Sequence, residues 1–288
     1  MDEAEKQLYS DAYDVYKLCF PHIAMTRGIF LDICDKEQLH FVHVKRDGRL
    51  AAFALEHENI IRIICVHPDY QRSKLGHMVL MMCEGAAAGK GYKNVIIGGD
   101  DSPLFMIGAA DGAKGFFEKQ GGKFSDCYYE MKLDLSGFEN SFNSPDGIKF
   151  DYYKGSPEKL RSAVAAVDDE WIQFFSDETP VYCGFKDGEP VSFCMVDTDS
   201  VNLLSDGKNK VASIGCVGTL PQYRRQGIGL YMFASAAAQC REKGCDSVFI
   251  HYTPYDKWYG KLGAVPVLKV WKCSIDLPEW KVGVEERT

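Results

Sequence analysis

The sequence predicts a mixed α/β fold built twice over, and three observations carry that reading. Apolar strand-like runs alternate with alanine-rich helical stretches, Asp-Gly dipeptides join two pairs of strands, and the same order of elements occurs in both halves of the 288-residue chain. Composition agrees with this: 46% hydrophobic and 26% charged residues is ordinary for a globular protein, and the length accommodates two compact domains.

The first half opens on a helical stretch at 2–20 with no strand before it. Residues 41–56, FVHVKRDGRLAAFALE, place two apolar stretches around Asp47-Gly48, a strong hairpin signal. The apolar run from Ile60 ends at Pro68 and Tyr70, and a basic turn leads to Gly76. An alanine-rich helix at 77–89 closes before Gly91, a short strand follows at Asn94–Ile97, then FFEKQGG at 116–122 and a closing strand at Phe124–Leu135.

The second half repeats this punctuation after an opening strand at Ile148–Tyr153. Its hairpin is VYCGFKDGEPVSFCMVD at 181–197, around Asp187-Gly188. The strand of VASIGCVGTLPQYRRQGIGL at 211–230 runs into Pro221, Tyr223 and a glycine turn, so that Tyr223 answers Tyr70 and Gly229 answers Gly76. A helix at 230–243 closes before Gly244, and a strand at Ser247–His251, WYGKLGA at 258–264 and a closing strand at Pro266–Ile275 complete the unit. The halves differ in connection length, around 198–210 in the second and at 98–112 in the first, which places the differences in loops. Turn formers in SGFENSFNSPDG, Ser136–Gly147, mark the linker, so the domains are expected at 1–140 and 146–288. Hairpins beside crossover helices imply a mixed sheet in each.

Lys and Arg number 33 against 41 Asp and Glu, a net charge of −8. Such a chain has no general electrostatic reason to coat nucleic acid or an anionic membrane, and cationic small molecules suit it better. The start MDEAEKQLYS lacks the basic and apolar regions of a signal peptide, and no apolar run approaches a membrane span. The 11 cysteines are dispersed without a C-x-x-C pair, several within apolar runs such as those around Cys65, Cys194 and Cys216, so they are expected as buried free thiols in a reduced cytoplasm. No metal-ligating spacing stands out.

The chemistry concentrates at Arg224-Arg225-Gln226-Gly227-Ile228-Gly229. Two glycines lie where a helix begins after a strand, so free backbone N–H groups and the helix dipole make an anion site to which the arginines add charge. The dinucleotide fingerprint G-x-G-x-x-G does not fit, because Gly229 is followed by Leu-Tyr-Met. With Pro221-Gln222-Tyr223 before it and Trp258-Tyr259-Gly260-Lys261-Leu262-Gly263 after it, this stretch resembles the GNAT (N-acetyltransferase) superfamily, whose hallmark Arg/Gln-x-x-Gly-x-Gly/Ala is met at every specified position. The chain thus looks like two tandem GNAT-like domains. The resemblance implies acetyl-CoA or another acyl-CoA as donor, with Val217, Gly218 and Thr219 pairing with pantetheine and Arg224, Arg225, Gln226, Gly227, Ile228 and Gly229 holding the pyrophosphate. In the first half Lys74 stands where the first glycine of the motif belongs and Phe117 where Tyr259 would be, which makes that domain the expected degenerate partner.

Acyl transfer from a thioester to an amine needs a proton acceptor, oxyanion stabilisation and a proton donor for the departing thiolate. The resemblance assigns the donor to Tyr259 and oxyanion stabilisation to a backbone N–H near Val217 or Gly218. The base is open: 211–217 holds no carboxylate, and the candidates are His251, whose unperturbed imidazole suits proton removal near neutrality, Asp197, Asp199, Glu170 or water. Cys216 reads as a core thiol rather than a nucleophile. Asp168, Asp169 and Glu170 before Trp171, Phe174 and Phe175 form either a rim for a cationic amine or an ordinary acidic helix start over buried aromatics. The expectation is direct acetylation of a small-molecule primary amine by the C-terminal domain, in a monomer or homodimer. A non-catalytic acyl-CoA-binding protein and a protein N-acetyltransferase are the alternatives.

Overall fold

A computed structural model describes residues 3–37, 39–99, 108–176 and 178–278. The chain divides into two compact units: the described residues of Met1–Tyr128 with Leu268–Thr288, and Tyr129–Val267.

In the first unit, α1 (Glu3–Cys19) and α2 (Arg27–Lys36) precede the sheet. Thr26 starts α2 by accepting a hydrogen bond from the Ile29 N–H, satisfying one of the helix's orphan donors. β1 (His40–Arg46) and β2 (Arg49–His57) form the hairpin, and Asp47 and Gly48 both have positive φ, 52° and 75°. That is the mirror-image turn whose twist matches the strands it joins. β3 (Ile60–Val66), α3 (Leu75–Gly89) and β4 (Asn94–Ile97) follow. Leu75, Val79, Leu80, Cys83 and Ala87 repeat at helical spacing, and that face of α3 is buried against the sheet core. A short β5 (Ala109–Ala110) and α4 (Lys114–Lys119) come next; the longer connection expected at 98–112 includes 100–107, outside the described residues.

The second unit opens with β7 (Lys149–Tyr152) and α5 (Pro157–Ala165), continues through a short 3-10 turn at Asp169–Phe174, and forms its hairpin from β8 (Val181–Lys186) and β9 (Glu189–Asp197). Asp187 and Gly188 repeat the positive φ values, 52° and 85°. Then come β10 (Val211–Thr219), α6 (Ile228–Glu242), β11 (Ser247–Thr253) and α7 (Asp256–Gly260). Ile228, Met232, Phe233, Ala236, Ala237 and Cys240 on α6 repeat the spacing seen on α3 and are buried.

The two closing strands are where sequence order and compact unit part company. β6 (Lys123–Asp134) belongs by sequence to the first repeat, yet Tyr129–Asp134 pairs antiparallel with β11 of the second unit. β12 (Val265–Asp276) ends the second repeat, yet Cys273–Asp276 pairs antiparallel with β4 of the first. Met131, Leu133 and Leu135 accordingly lie in the second unit's core, and Cys273 and Ile275 in the first unit's. The repeat-based division at 1–140 and 146–288 and the division into compact units therefore differ by an exchange of closing strands. Each sheet is mixed, as expected: every pair in β1-β2-β3-β4-β12 and in β7-β8-β9-β10-β11-β6 is antiparallel except β3–β4 and β10–β11. All 11 cysteines are free thiols.

Candidate active site

The site begins where β10 and β11 part. These parallel strands pair at Val211–Ser247, Ala212–Val248 and Ser213–Phe249, and among the described residues no pair follows. Both strands carry a bulge beyond that point. On β10, Cys216 and Val217 together face Cys194 of β9, because Gly215 pairs with Met195 and Gly218 with Phe193. Cys216 holds φ at 48°, unusual for a side-chain-bearing residue, and the extra residue turns consecutive side chains to different surroundings. Val217 packs toward the core containing Tyr259, while Cys216 packs with Phe175 and Leu220 on the side of α5.

The pantetheine candidates follow directly. Gly218 is required sterically: a Cβ there would lie 2.3 Å from the Phe193 ring. Its carbonyl accepts from the buried Ser192 hydroxyl at 2.8 Å, and the same hydroxyl meets Thr219 Oγ1 at 2.9 Å. β9 and Ser192 thus brace one edge of Gly218 and Thr219, and the edge turned toward the parting with β11 is where a ligand backbone would have to pair.

The glycine turn then leads into α6. Gly227 is its N-cap in the left-handed region (φ 79°, ψ −7°), and no side chain caps the helix. The first-turn N–H groups lack intrahelical acceptors, so the start of this 15-residue helix suits an anion. An added Cβ at Gly227 would meet no protein atom within 4 Å, whereas one at Gly229 would come 3.1 Å from Thr219 Oγ1. Arg224, Arg225, Gln226 and Gly227 are exposed, and Arg224 Nε donates to the Thr219 carbonyl at 3.0 Å. Ile228 differs from its neighbours: its side chain is buried with Ile148 and Val191, so its backbone alone can reach a ligand. These features fit a pyrophosphate cradle.

The first unit carries the same backbone turn with different chemistry. Lys74 is the N-cap of α3 at φ 66° and ψ 4°, and Arg72 has φ 62°, the value also held by Arg225. A lysine side chain thus occupies the position that Gly227 leaves open. Phe117 on α4 is buried and offers no hydroxyl where the second half has Tyr259.

Tyr259 on α7 is buried, with its ring edge-on to Phe233 (5.3 Å) and Trp258 (4.7 Å). Burial pushes its phenol well above the usual tyrosine range, reinforced by Cys194, Cys216 and Tyr255 and opposed by a hydrogen bond with Thr253. The group therefore keeps its proton at neutral pH, as a donor must. Cys216 is also raised, to about 12, chiefly by burial and secondarily by Asp168, which leaves it a poor nucleophile.

His251 sits on β11 just past the last β10–β11 pair. Its Nδ1 lies 3.0 and 3.1 Å from the two carboxylate oxygens of Glu130, a fully buried residue of β6. The Tyr252 N–H also donates to Glu130 Oε2 at 3.3 Å. A second bulge makes this possible, since Ile250 pairs with Met131 and Thr253 with Tyr129, leaving His251 and Tyr252 (φ 50°) opposite Glu130. Sequence reasoning missed Glu130 because it ends the first repeat, 121 positions from His251, and only the strand exchange brings the two together. The other base candidates are not gathered with it. Exposed Asp197 accepts from the Asp199 N–H, Asp199 lies 3.5 Å from Lys210, and Glu170 is exposed in the 3-10 turn.

The comparisons with known proteins bear on this geometry. No curated protein matches the chain. Among solved structures, a glucosamine N-acetyltransferase region of a fungal multi-domain GH3 β-N-acetylglucosaminidase aligns over 96% of this chain with TM-score 0.72 and 16% identity, and this chain spans only 37% of that one. A GCN5-related N-acetyltransferase from Sphaerobacter thermophilus aligns over 94% of this chain and 93% of its own at TM-score 0.69 and 15% identity. A tandem GNAT protein of the clavulanic acid biosynthesis pathway covers 93% and 97% at TM-score 0.60 and 12% identity. These likenesses show the shared tandem fold. The acetyltransferase (GNAT) family profile matches residues 6–105 and 148–263, well over half of the sequence and both repeats, so the chain belongs to the GNAT family of acetyl-CoA-dependent N-acetyltransferases.

Proposed function

We propose that the second unit binds acetyl-CoA and acetylates a small-molecule primary amine by direct transfer, and that the first unit shapes and supports it without a second catalytic centre. The observation that carries the reading is the parting of β10 and β11 just before His251, with Tyr259 in the core against which Val217 packs and an uncapped, glycine-started α6 following β10. Bound acetyl-CoA supplies the acetyl thioester. Arg224, Arg225 and the N–H groups at Gly227–Gly229 hold its pyrophosphate, and the free edge of Val217–Thr219 orients its pantetheine. His251 takes the proton lost by the attacking amine as the new C–N bond forms. Tyr259 delivers a proton to sulfur as the C–S bond breaks, so the products are an N-acetyl amine and the free thiol. Support for assigning this to the second unit comes from the counterparts in the first, where Lys74 and Phe117 replace Gly227 and Tyr259.

Titration calorimetry of the whole chain with acetyl-CoA and with CoA tests the reading. One site, lost on Gly227→Glu, supports it; two sites restore the first unit as a binder; and no site refutes it. A mass-spectrometric panel of primary amines, including the amino sugar glucosamine, then seeks the acceptor. Acetylation of peptides alone would replace the small-molecule reading with a protein acceptor.

A further inference from the structure

We propose that Glu130 is a positioning residue for the reaction: its carboxylate holds the His251 ring with the proton on Nδ1, which leaves Nε2 as the basic nitrogen. The inference rests on the reading of His251 as the base. An ionised carboxylate only accepts hydrogen bonds, so both oxygens at 3.0 and 3.1 Å from Nδ1 require the proton to sit there in the neutral ring. A fully buried carboxylate without partners would be strongly disfavoured, and here the His251 ring and the Tyr252 N–H meet it. The bulge that supplies both contacts puts Tyr252 in the left-handed region, a conformation a plain strand would not need.

The first unit does not repeat the arrangement at the equivalent strand positions, although His40 there meets the buried Glu56 elsewhere, at 2.9 Å. In the first, Ile97 pairs with Cys273 as Ile250 pairs with Met131, and the next positions on the two strands are Gly98 and Lys272, which carry neither imidazole nor carboxylate. The carboxylate also comes from the first repeat. The second repeat alone, 146–288, contains the base but not the residue that orients it, so strand exchange makes the first repeat a contributor to the second unit's chemistry.

The test uses the full chain labelled with nitrogen-15 histidine, with His251→Gln to assign the His251 ring among the seven histidines. Long-range proton–nitrogen spectra are expected to show His251 protonated at Nδ1, and Glu130→Gln, nearly isosteric but able to donate as well as accept, is expected to populate the other tautomer. A His251 ring protonated at Nε2 in the wild-type chain, or a tautomer unchanged by Glu130→Gln, overturns the proposal. With the amine found in the panel, Glu130→Gln should lower kcat about tenfold or more, with KM for acetyl-CoA within about twofold. A parallel loss of cofactor affinity and melting temperature would instead mark a packing role and refute the positioning one. Full turnover in His251→Gln would remove the base assignment itself, a failure separate from that of the tautomer reading.

Discussion

Gly227→Glu isolates what the glycine turn does, because the structure separates its cost to folding from its cost to binding. An added Cβ meets no protein atom within 4 Å, so the folding penalty is confined to placing a side chain at φ 79°. That left-handed strain is about 1 kcal/mol, and Lys74 occupies the matching turn at φ 66°, so the conformation is attainable. The melting temperature should fall by about 3 °C. Binding is affected more. At a separation of about 5 Å and an effective dielectric of about 20, a carboxylate and one phosphate charge repel by about 3 kcal/mol, which is about a hundredfold in Kd. Calorimetric titration with acetyl-CoA at moderate ionic strength, paired with a melting curve of the same sample, reads both quantities. An unchanged Kd in a folded variant would refute the cradle, and a melting loss well beyond this would show that Gly227 has a structural role the geometry does not contain. Gly227→Lys, which copies the first unit, should keep the small melting penalty and weaken binding less than Glu.

Other consequences are open to equally direct measurement. Gly218→Ala drives a methyl to 2.3 Å from the buried Phe193 ring, which packs edge-on to Phe175 at 5.6 Å, so denaturant titration should show a loss of about 1–3 kcal/mol; no loss would mean the β10 bulge relaxes freely. Tyr259→Phe should reduce kcat about a hundredfold while leaving acetyl-CoA affinity unchanged, and matched losses in both would indicate that the ring only packs. Burial raises the thiols of Cys183, Cys216 and Cys240 to about 12 each. Their folded values exceed the unfolded ones, so their contribution is complete below the unfolded thiol range near 8.5 and is lost as pH rises toward 12. Urea titrations should therefore show stability falling above about pH 9, by up to about 1.4 kcal/mol per pH unit for each thiol, and a flat profile between pH 9 and 11 would contradict that burial.

Much of the fold and part of the candidate site were legible in order along the chain because they rest on local physics. Asp47-Gly48 and Asp187-Gly188, each set between two apolar runs, take two successive positive φ values, the turn that a two-residue hairpin needs. The helices expected at 77–89 and 230–243 were marked by alanine-rich stretches closed by glycine, and the structure starts each two residues earlier, at Leu75 and Ile228. Gly227 could be singled out because a left-handed residue at a helix start, without a capping side chain, leaves backbone donors for an anion. Tyr259 followed from the motif, and its burial beside Phe233 gives the physical reason its proton is retained.

Pairing across distance was not legible, and the reason is symmetry. The closing strands 123–134 and 265–276 have similar apolar alternation, and each meets a short central strand of similar character, so nothing local says which sheet either completes. The extra residue of a bulge is likewise decided by the partner strand, and it is the bulge at His251 and Tyr252 that opens a place for Glu130. The amino-acid sequence by itself determined the repeated units, their hairpins and helices, and the glycine turn at the start of α6, because each depends on residues close in the chain. The exchange of closing strands, the parting of β10 from β11 and the carboxylate behind His251 were decided only by tertiary structure, because each depends on which distant backbone edge a strand finds.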